Sequence, residues 1–359
     1  MKTRGLYILV IFVLSFQVNA QAIREQEPKA PYSYEVEEVV FQNTIDGISL
    51  AGTLTYPKKG ADFPAVILIS GSGPQDRNSE LMNHKPFLVI ADHLTRNGIA
   101  VLRVDDRGTA KSEGNYNESG ISNFVEDTKS ALDYLKAHKK INRKQIGLLG
   151  HSLGGNIAPI VATEREKEVA FIVLLAGSGI RGDELMLLQK ASIERKMGVP
   201  EEVVAQAQLN MEGVYTIILN SDRNKEQLQQ KLTEYFTTQF GGMIPEQQVK
   251  TIAEQMSRPW FVDFIKFDPA PVLQKVDCPV LAINGENDLQ VPAKENLEAI
   301  EKALSEGGNR DVQVKELESL NHLFQESETG LPNEYASIEQ TFSPIALNII
   351  TEWIGERTK

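Results

Sequence analysis

Apolar and polar positions along the chain follow two rhythms. Short apolar runs rich in Val, Ile and Leu recur at 65–69, 99–104, 145–149, 170–175, 280–283 and 312–317. Runs of this length, bounded by Gly, Pro or polar turns, predict buried strands. Between them the apolar spacing shifts to three and four residues, which predicts helices over about 86–97, 121–138, 153–163, 293–305 and 339–357. Strands that alternate with helices predict a mostly parallel central sheet flanked by helices on both faces. Upstream, the alternation from Tyr34 to Tyr56 with Asp46-Gly47 in its middle predicts a β-hairpin. Residues 21–32, polar with two prolines, predict a flexible leader.

One stretch breaks the alternation. Residues 181–264 carry no strand pattern and show helix starts at Asp183, Pro200 and Pro245, punctuated by Gly241-Gly242. An insertion at this point, between the strands at 170–175 and 280–283, is placed over the carboxyl ends of the sheet, where open α/β folds bind ligands. It reads as a helical cap; a decoration without a binding role is the alternative. The chain then divides into 1–20, a first core part 21–180, the cap 181–264, and a second core part 265–359.

The first twenty residues stand apart. Lys2 and Arg4 precede an apolar run from Leu6 to Phe16, and Val18-Asn19-Ala20 follows with small residues at signal-peptidase spacing. The run is short for a bilayer span. The expectation is a signal peptide cut before Gln21, an exported product, periplasmic or extracellular and bacterial, and no stable membrane span afterwards. Cys278 is the only cysteine, so no intrachain disulfide forms; before Pro279 and an apolar strand it reads as a core residue. The net charge of -12 argues against nucleic acid as a partner, because phosphate binding needs clustered Lys and Arg.

The chemistry centres on Gly150-His151-Ser152-Leu153-Gly154-Gly155, a G-x-S-x-G turn between a predicted strand and a predicted helix. That context presents Ser152 as a nucleophile, with the helix N-terminus behind it favouring negative charge on a substrate oxygen. A serine needs a base. Of the five histidines, His84, His93 and His138 precede the serine and read as surface residues, and His151 lies in the turn with its side chain pointing elsewhere. His322, in a loop after the last predicted strand, is the candidate base. Asp288, in the loop before the 293–305 helix, is the candidate acid, with Glu286 and Asp183 as rivals. The order Ser, Asp, His is that of α/β-hydrolases. The candidate oxyanion donors are the amides of Leu153 and Ser72, with Gly73 next, in the loop Ser70-Gly71-Ser72-Gly73-Pro74-Gln75-Asp76-Arg77. Gly73, Trp260 and Phe264 are candidate substrate contacts. Trp260, Phe261 and Phe264 fit either a pocket wall or the core of the cap. No metal or cofactor is expected.

These pieces resemble bacterial α/β-hydrolases of the carboxylesterase kind, close to an EstD-like group that overlaps families labelled serine aminopeptidase S33. The resemblance rests on 71–77, Arg103-Val104-Asp105-Asp106-Arg107-Gly108, the serine turn, Asp268-Pro269-Ala270-Pro271, 285–292, and Asn321-His322-Leu323-Phe324-Gln325, within residues 35–355. It implies hydrolysis of short-acyl esters, small-molecule substrates, without a cofactor. One departure is Ala110, where relatives carry a glycine; Asp105, Asp106 and Arg107 read as structural supports of that loop. A peptidase or amidase using the same three residues, and a non-catalytic binding protein on the same scaffold, are the competing expectations.

Overall fold

The structure, a computed structural model, describes residues 24–359 apart from Arg223. The expected signal peptide lies outside the described residues. Eight strands form one sheet: β1 (Tyr34–Asn43), β2 (Ile48–Pro57), β3 (Phe63–Ile69), β4 (Ala100–Val104), β5 (Ile141–His151), β6 (Ile172–Leu175), β7 (Val280–Gly285) and β8 (Val312–Leu317). Their order is β1-β2-β4-β3-β5-β6-β7-β8. The pairs β1–β2 and β2–β4 are antiparallel and the others parallel. Strands β3, β5, β6 and β7 are apolar on both faces because helices cover both. One face packs Leu148, Leu174 and Ala282 and the other Leu149, Val173 and Leu281, each in its own apolar core.

The core helices are α1 (Pro86–Arg96), α2 (Ile121–Ala137) and α3 (Gly154–Glu164). The insertion between β6 and β7 carries α4 (Gly182–Lys196), α5 (Glu201–Leu219), α6 (Lys225–Phe240), α7 (Glu246–Met256) and α8 (Pro259–Lys266). After it come a short turn α9 (Ala270–Leu273), then α10 (Ala293–Glu306) and α11 (Pro344–Arg357). The cap has a core of its own. Leu228, Leu232 and Phe236 form an i, i+4, i+8 stripe on α6 and meet Val249, Ile252 and Met256 of α7. Pro200 and Pro245 sit one residue before their helices, at the cap position rather than inside the first turn. The helix that begins after Asn224 lacked a proline or aspartate signal; the Asn224 side chain caps it by accepting from the Gln227 amide at 2.9 Å.

Three sequence expectations are corrected. The leader is held from Arg24 onward: its guanidinium donates to the Ala336 carbonyl at 2.7 Å, and Gln26 Oε1 accepts from the Thr341 and Phe342 amides. The last helix begins at Pro344 rather than 339, because Ser343 caps it and Pro344 fits the first helical position. His84 is a core residue, 1% exposed, bonded to Thr341 Oγ1 and the Tyr335 carbonyl. His93 and His138 are half-buried. Among the described residues no helix is long and apolar enough to cross a membrane.

Candidate active site

The chain turns from β5 into α3 with no room for side chains. A Cβ on Gly150 would lie 2.0 Å from the Gly154 carbonyl oxygen, and one on Gly154 would lie 2.3 Å from that of Ile69. Ser152 adopts φ of 53°, a left-handed backbone that costs a non-glycine residue about 1–3 kcal/mol. Its amide donates to the Leu175 carbonyl on β6 at 2.9 Å, which anchors the turn to the sheet. Strained serines of this kind persist where the surroundings over-determine them, as this close packing does.

His322 and Asp288 come together, 34 residues apart in sequence, in the loops after β8 and β7. His322 Nδ1 donates to Asp288 Oδ2 at 2.8 Å. Asp288 Oδ1 accepts from the Gln290 and Val291 amides, both at 2.8 Å, so the carboxylate is fixed and 2% exposed. The proton on Nδ1 leaves Nε2 of His322 with a lone pair. Ser152 Oγ and His322 Nε2 make no hydrogen bond within the described residues, and the two side chains line one cavity of about 130 Å³. Catalytic hydrogen bonds of this sort commonly tighten only when substrate is bound. Neither rival acid meets His322: Glu286 Oε2 accepts from the Ser319 amide at 3.0 Å, and Asp183 pairs with Arg181.

The histidine loop is itself tightly bound. Asn321 Oδ1 accepts from the Leu323 and Gln325 amides, and Asn321 N donates to the Gln325 carbonyl at 3.0 Å. His151, expected to point elsewhere, reaches this loop. Its Nε2–H donates to the His322 carbonyl at 2.9 Å, and the two rings lie 4.8 Å apart. Burial, followed by the neighbouring His322 ring, pushes the His151 imidazole down to about 3, so it stays a neutral donor.

The two candidate oxyanion donors border the same cavity, and the amides of Leu153 and Ser72 have no acceptor among the described residues. Gly73 does not line it: its amide donates to the Tyr116 hydroxyl at 2.8 Å, which commits that group to holding the loop. Asp106 clamps the loop on both sides of Ser72, accepting from Ser70 Oγ at 2.5 Å and from the Gln75 amide at 2.9 Å. Burial pushes its carboxyl up to about 7. Asp105 binds Arg77, and Arg107 binds Asp127 and Asp46. These three residues therefore stitch neighbouring loops together, beyond the loop that follows them. Ala110 takes φ of 46°, a left-handed backbone that glycine adopts without strain.

The cap closes the cavity. Trp260, Phe261 and Phe264 of α8 and Leu185 and Met186 of α4 form its apolar wall. Trp260 and Phe264 also pack on the sheet core, and Phe261 and Phe264 on the cap core. The same rings therefore line the cavity and pack on both cores. Cys278 is packed against the sheet core, and burial pushes its thiol up to about 12. Among the described residues no cluster of His, Cys, Asp and Glu suits a metal ion.

Sheet order and the serine turn make the chain an α/β-hydrolase by fold. Residues 46–317 match the X-Pro dipeptidyl-peptidase (S15) family, and the chain belongs to it. It is 30% identical over 306 residues to esterase EstD of Thermotoga maritima, an alignment covering 85% of this chain and 64% of EstD. The chain thus spans under two thirds of that relative. Among solved structures, the Pyrococcus furiosus esterase Pf2001 superposes with a TM-score of 0.52 at 16% identity, covering 90% of this chain and 92% of the other. The α/β-hydrolase GrgF of a Penicillium species gives 0.55 at 17%, covering 90% and 99%. These two likenesses carry the fold.

Proposed function

We propose that the chain is a serine esterase that cleaves small, uncharged carboxylic esters through an acyl-enzyme. Ser152 Oγ attacks the ester carbonyl while His322 Nε2 takes its proton. Asp288 steadies the imidazolium that forms. The amides of Leu153 and Ser72 receive the oxyanion. His322 then protonates the departing alkoxide, and water, activated by the same imidazole, releases the acid and frees Ser152. The observation that carries the reading is the His322–Asp288 bond at 2.8 Å beside a strained serine in one cavity.

The S15 match favours a second reading, a peptidase acting on a free amino terminus. Recognition of an ammonium group calls for a buried carboxylate in the pocket. Among the described residues the cavity lining holds no Asp, Glu, Lys or Arg, and Asp288 behind it is fully engaged. That favours uncharged esters. The cavity of about 130 Å³ also favours a short acyl group or a single ring, since a cavity of about 150 Å³ holds benzene. The similarity to a protein named esterase EstD points the same way. Hydrolysis of p-nitrophenyl acetate far above that of aminoacyl- and Gly-Pro-p-nitroanilides is the expected result; the reverse order supports the peptidase. Export, read from Lys2, Arg4 and Val18-Asn19-Ala20, belongs to the same proposal. A mature terminus at Gln21 in the native host is the expected finding, and one at Met1 would reject it.

A further inference from the structure

The cavity lining is not all apolar. Asn156, Ser178 and Gln189 line the same cavity as Trp260, Phe261 and Phe264. Asn156 and Ser178 are buried, at 2% and 6% exposure, and bind each other: Asn156 Nδ2 donates to Ser178 Oγ at 2.8 Å, and Ser178 N donates to Asn156 Oδ1 at 3.3 Å. This pair stands in the first turn of α3, behind the nucleophile, and in the segment after β6. A buried polar pair in a cavity wall costs desolvation that an apolar pair of the same shape would avoid.

The wall also holds more hydrogen-bonding capacity than the protein uses. The Asn156 amide has two N–H groups and spends one on Ser178. Gln189 donates from Nε2 to Gln290 Oε1 at a long 3.4 Å, and its own Oε1 has no partner among the described residues. The Gln290 amide is held in turn by the Tyr335 hydroxyl at 3.1 Å. The indole N–H of Trp260 is buried without an acceptor among the described residues. A donor and an acceptor thus stand unused in a cavity that three aromatic rings also line.

We infer that the cavity selects esters whose buried group is one ring, or a short chain of similar size, bearing a hydroxyl. The ring packs on Trp260 and Phe264, and the hydroxyl exchanges hydrogen bonds with Asn156 and Gln189. The inference rests on the esterase reading and sharpens it from small esters in general to hydroxyl-bearing ones. A plain hydrocarbon group of the same volume fills the same space and leaves the polar wall unpaired, which is the basis of discrimination against it.

Two substrate pairs test this, with rates corrected for alkaline hydrolysis of each ester. Methyl 4-hydroxybenzoate against methyl 4-methylbenzoate varies the acyl side. The acetates of 4-hydroxybenzyl and 4-methylbenzyl alcohol vary the other side. The unsubstituted protein prefers the hydroxyl member of one pair by about tenfold in kcat/KM, the size of one net hydrogen bond. Asn156→Leu and Gln189→Leu each bring that ratio below about twofold; should Asn156→Leu fail to fold, Gln189→Leu carries the test. Equal rates within both pairs, or a preference that both variants leave intact, overturn the inference. Turnover of p-nitrophenyl acetate by the unsubstituted protein is read separately. If it proceeds while the pairs show no preference, only the inference falls; if no ester is turned over, both fall.

Discussion

The serine turn and the cap wall border the same cavity and are held by different forces. Around the turn, backbone meets backbone: Gly150 and Gly154 leave no space for a methyl group, and the Ser152 amide is bonded to β6. Asp288 accepts three hydrogen bonds, and both the ring and the carbonyl of His322 are bonded. On the cap side, the aromatic rings themselves sit in apolar packing while their helix is tied to α2 by the Ile121 amide donating to Asp263 Oδ2 at 3.1 Å, and the polar tie from α4 to the acid loop is the 3.4 Å contact of Gln189 with Gln290. Directional bonds fix atoms to a fraction of an ångström, as proton transfer requires. Apolar packing accepts exchange of side chains with small loss. On the proposed reading, reaction type rests on the turn and its loops, and the cap side chains shape the space left for the substrate.

The largest effect that sharpens this contrast is expected at Asp288. Replacement Asp288→Asn keeps the shape and misorients the imidazole proton, and a loss of about 10⁴ in kcat is expected by analogy with serine proteases. Glu286→Gln and Asp183→Asn, whose carboxylates bind elsewhere, should stay within a few-fold. A large loss at Asp183 with near-normal turnover in Asp288→Asn would move the acid to the earlier strand. Next comes His151. Losing its hydrogen bond to the His322 carbonyl in His151→Leu should lower kcat about three- to tenfold, with KM little changed and with partial recovery in His151→Asn. A change confined to thermal stability would make the residue purely structural. Smallest in overall rate is Trp260→Ala, which should raise octanoate hydrolysis relative to acetate by roughly tenfold by opening the wall. An unchanged chain-length profile in the folded variant would remove Trp260 from the pocket.

The same division explains what the sequence disclosed. Strand runs such as 65–69 and 280–283 were legible because a strand buried on both faces is apolar throughout. Ser152, Asp288 and His322 could be named as candidates because each sits at a turn between elements whose pattern was clear. Long-range side-chain bonds were not legible. His84 reads as a surface residue until the 335–341 segment folds over it, and His151 gives no local sign that it bonds a residue 171 positions away. Gln26 likewise looks like part of a free leader until it meets Thr341 and Phe342. Gly73 looked like a donor for the substrate because glycine allows close approach, yet the Tyr116 hydroxyl takes its amide. The cap wall was half legible: a cluster of Trp260, Phe261 and Phe264 suggested a pocket or a core, and nothing short of the packed helices showed that it serves both.

Covalent trapping tests the central claim most directly. A p-nitrophenyl alkylphosphonate incubated with the protein should release one equivalent of p-nitrophenolate and add one phosphonyl group, located by peptide mass spectrometry on Ser152. Loss of ester hydrolysis should run in proportion to labelling, and Ser152→Ala should take up no label while keeping its fold. Labelling of another residue, or ester hydrolysis that survives in Ser152→Ala, would contradict the account.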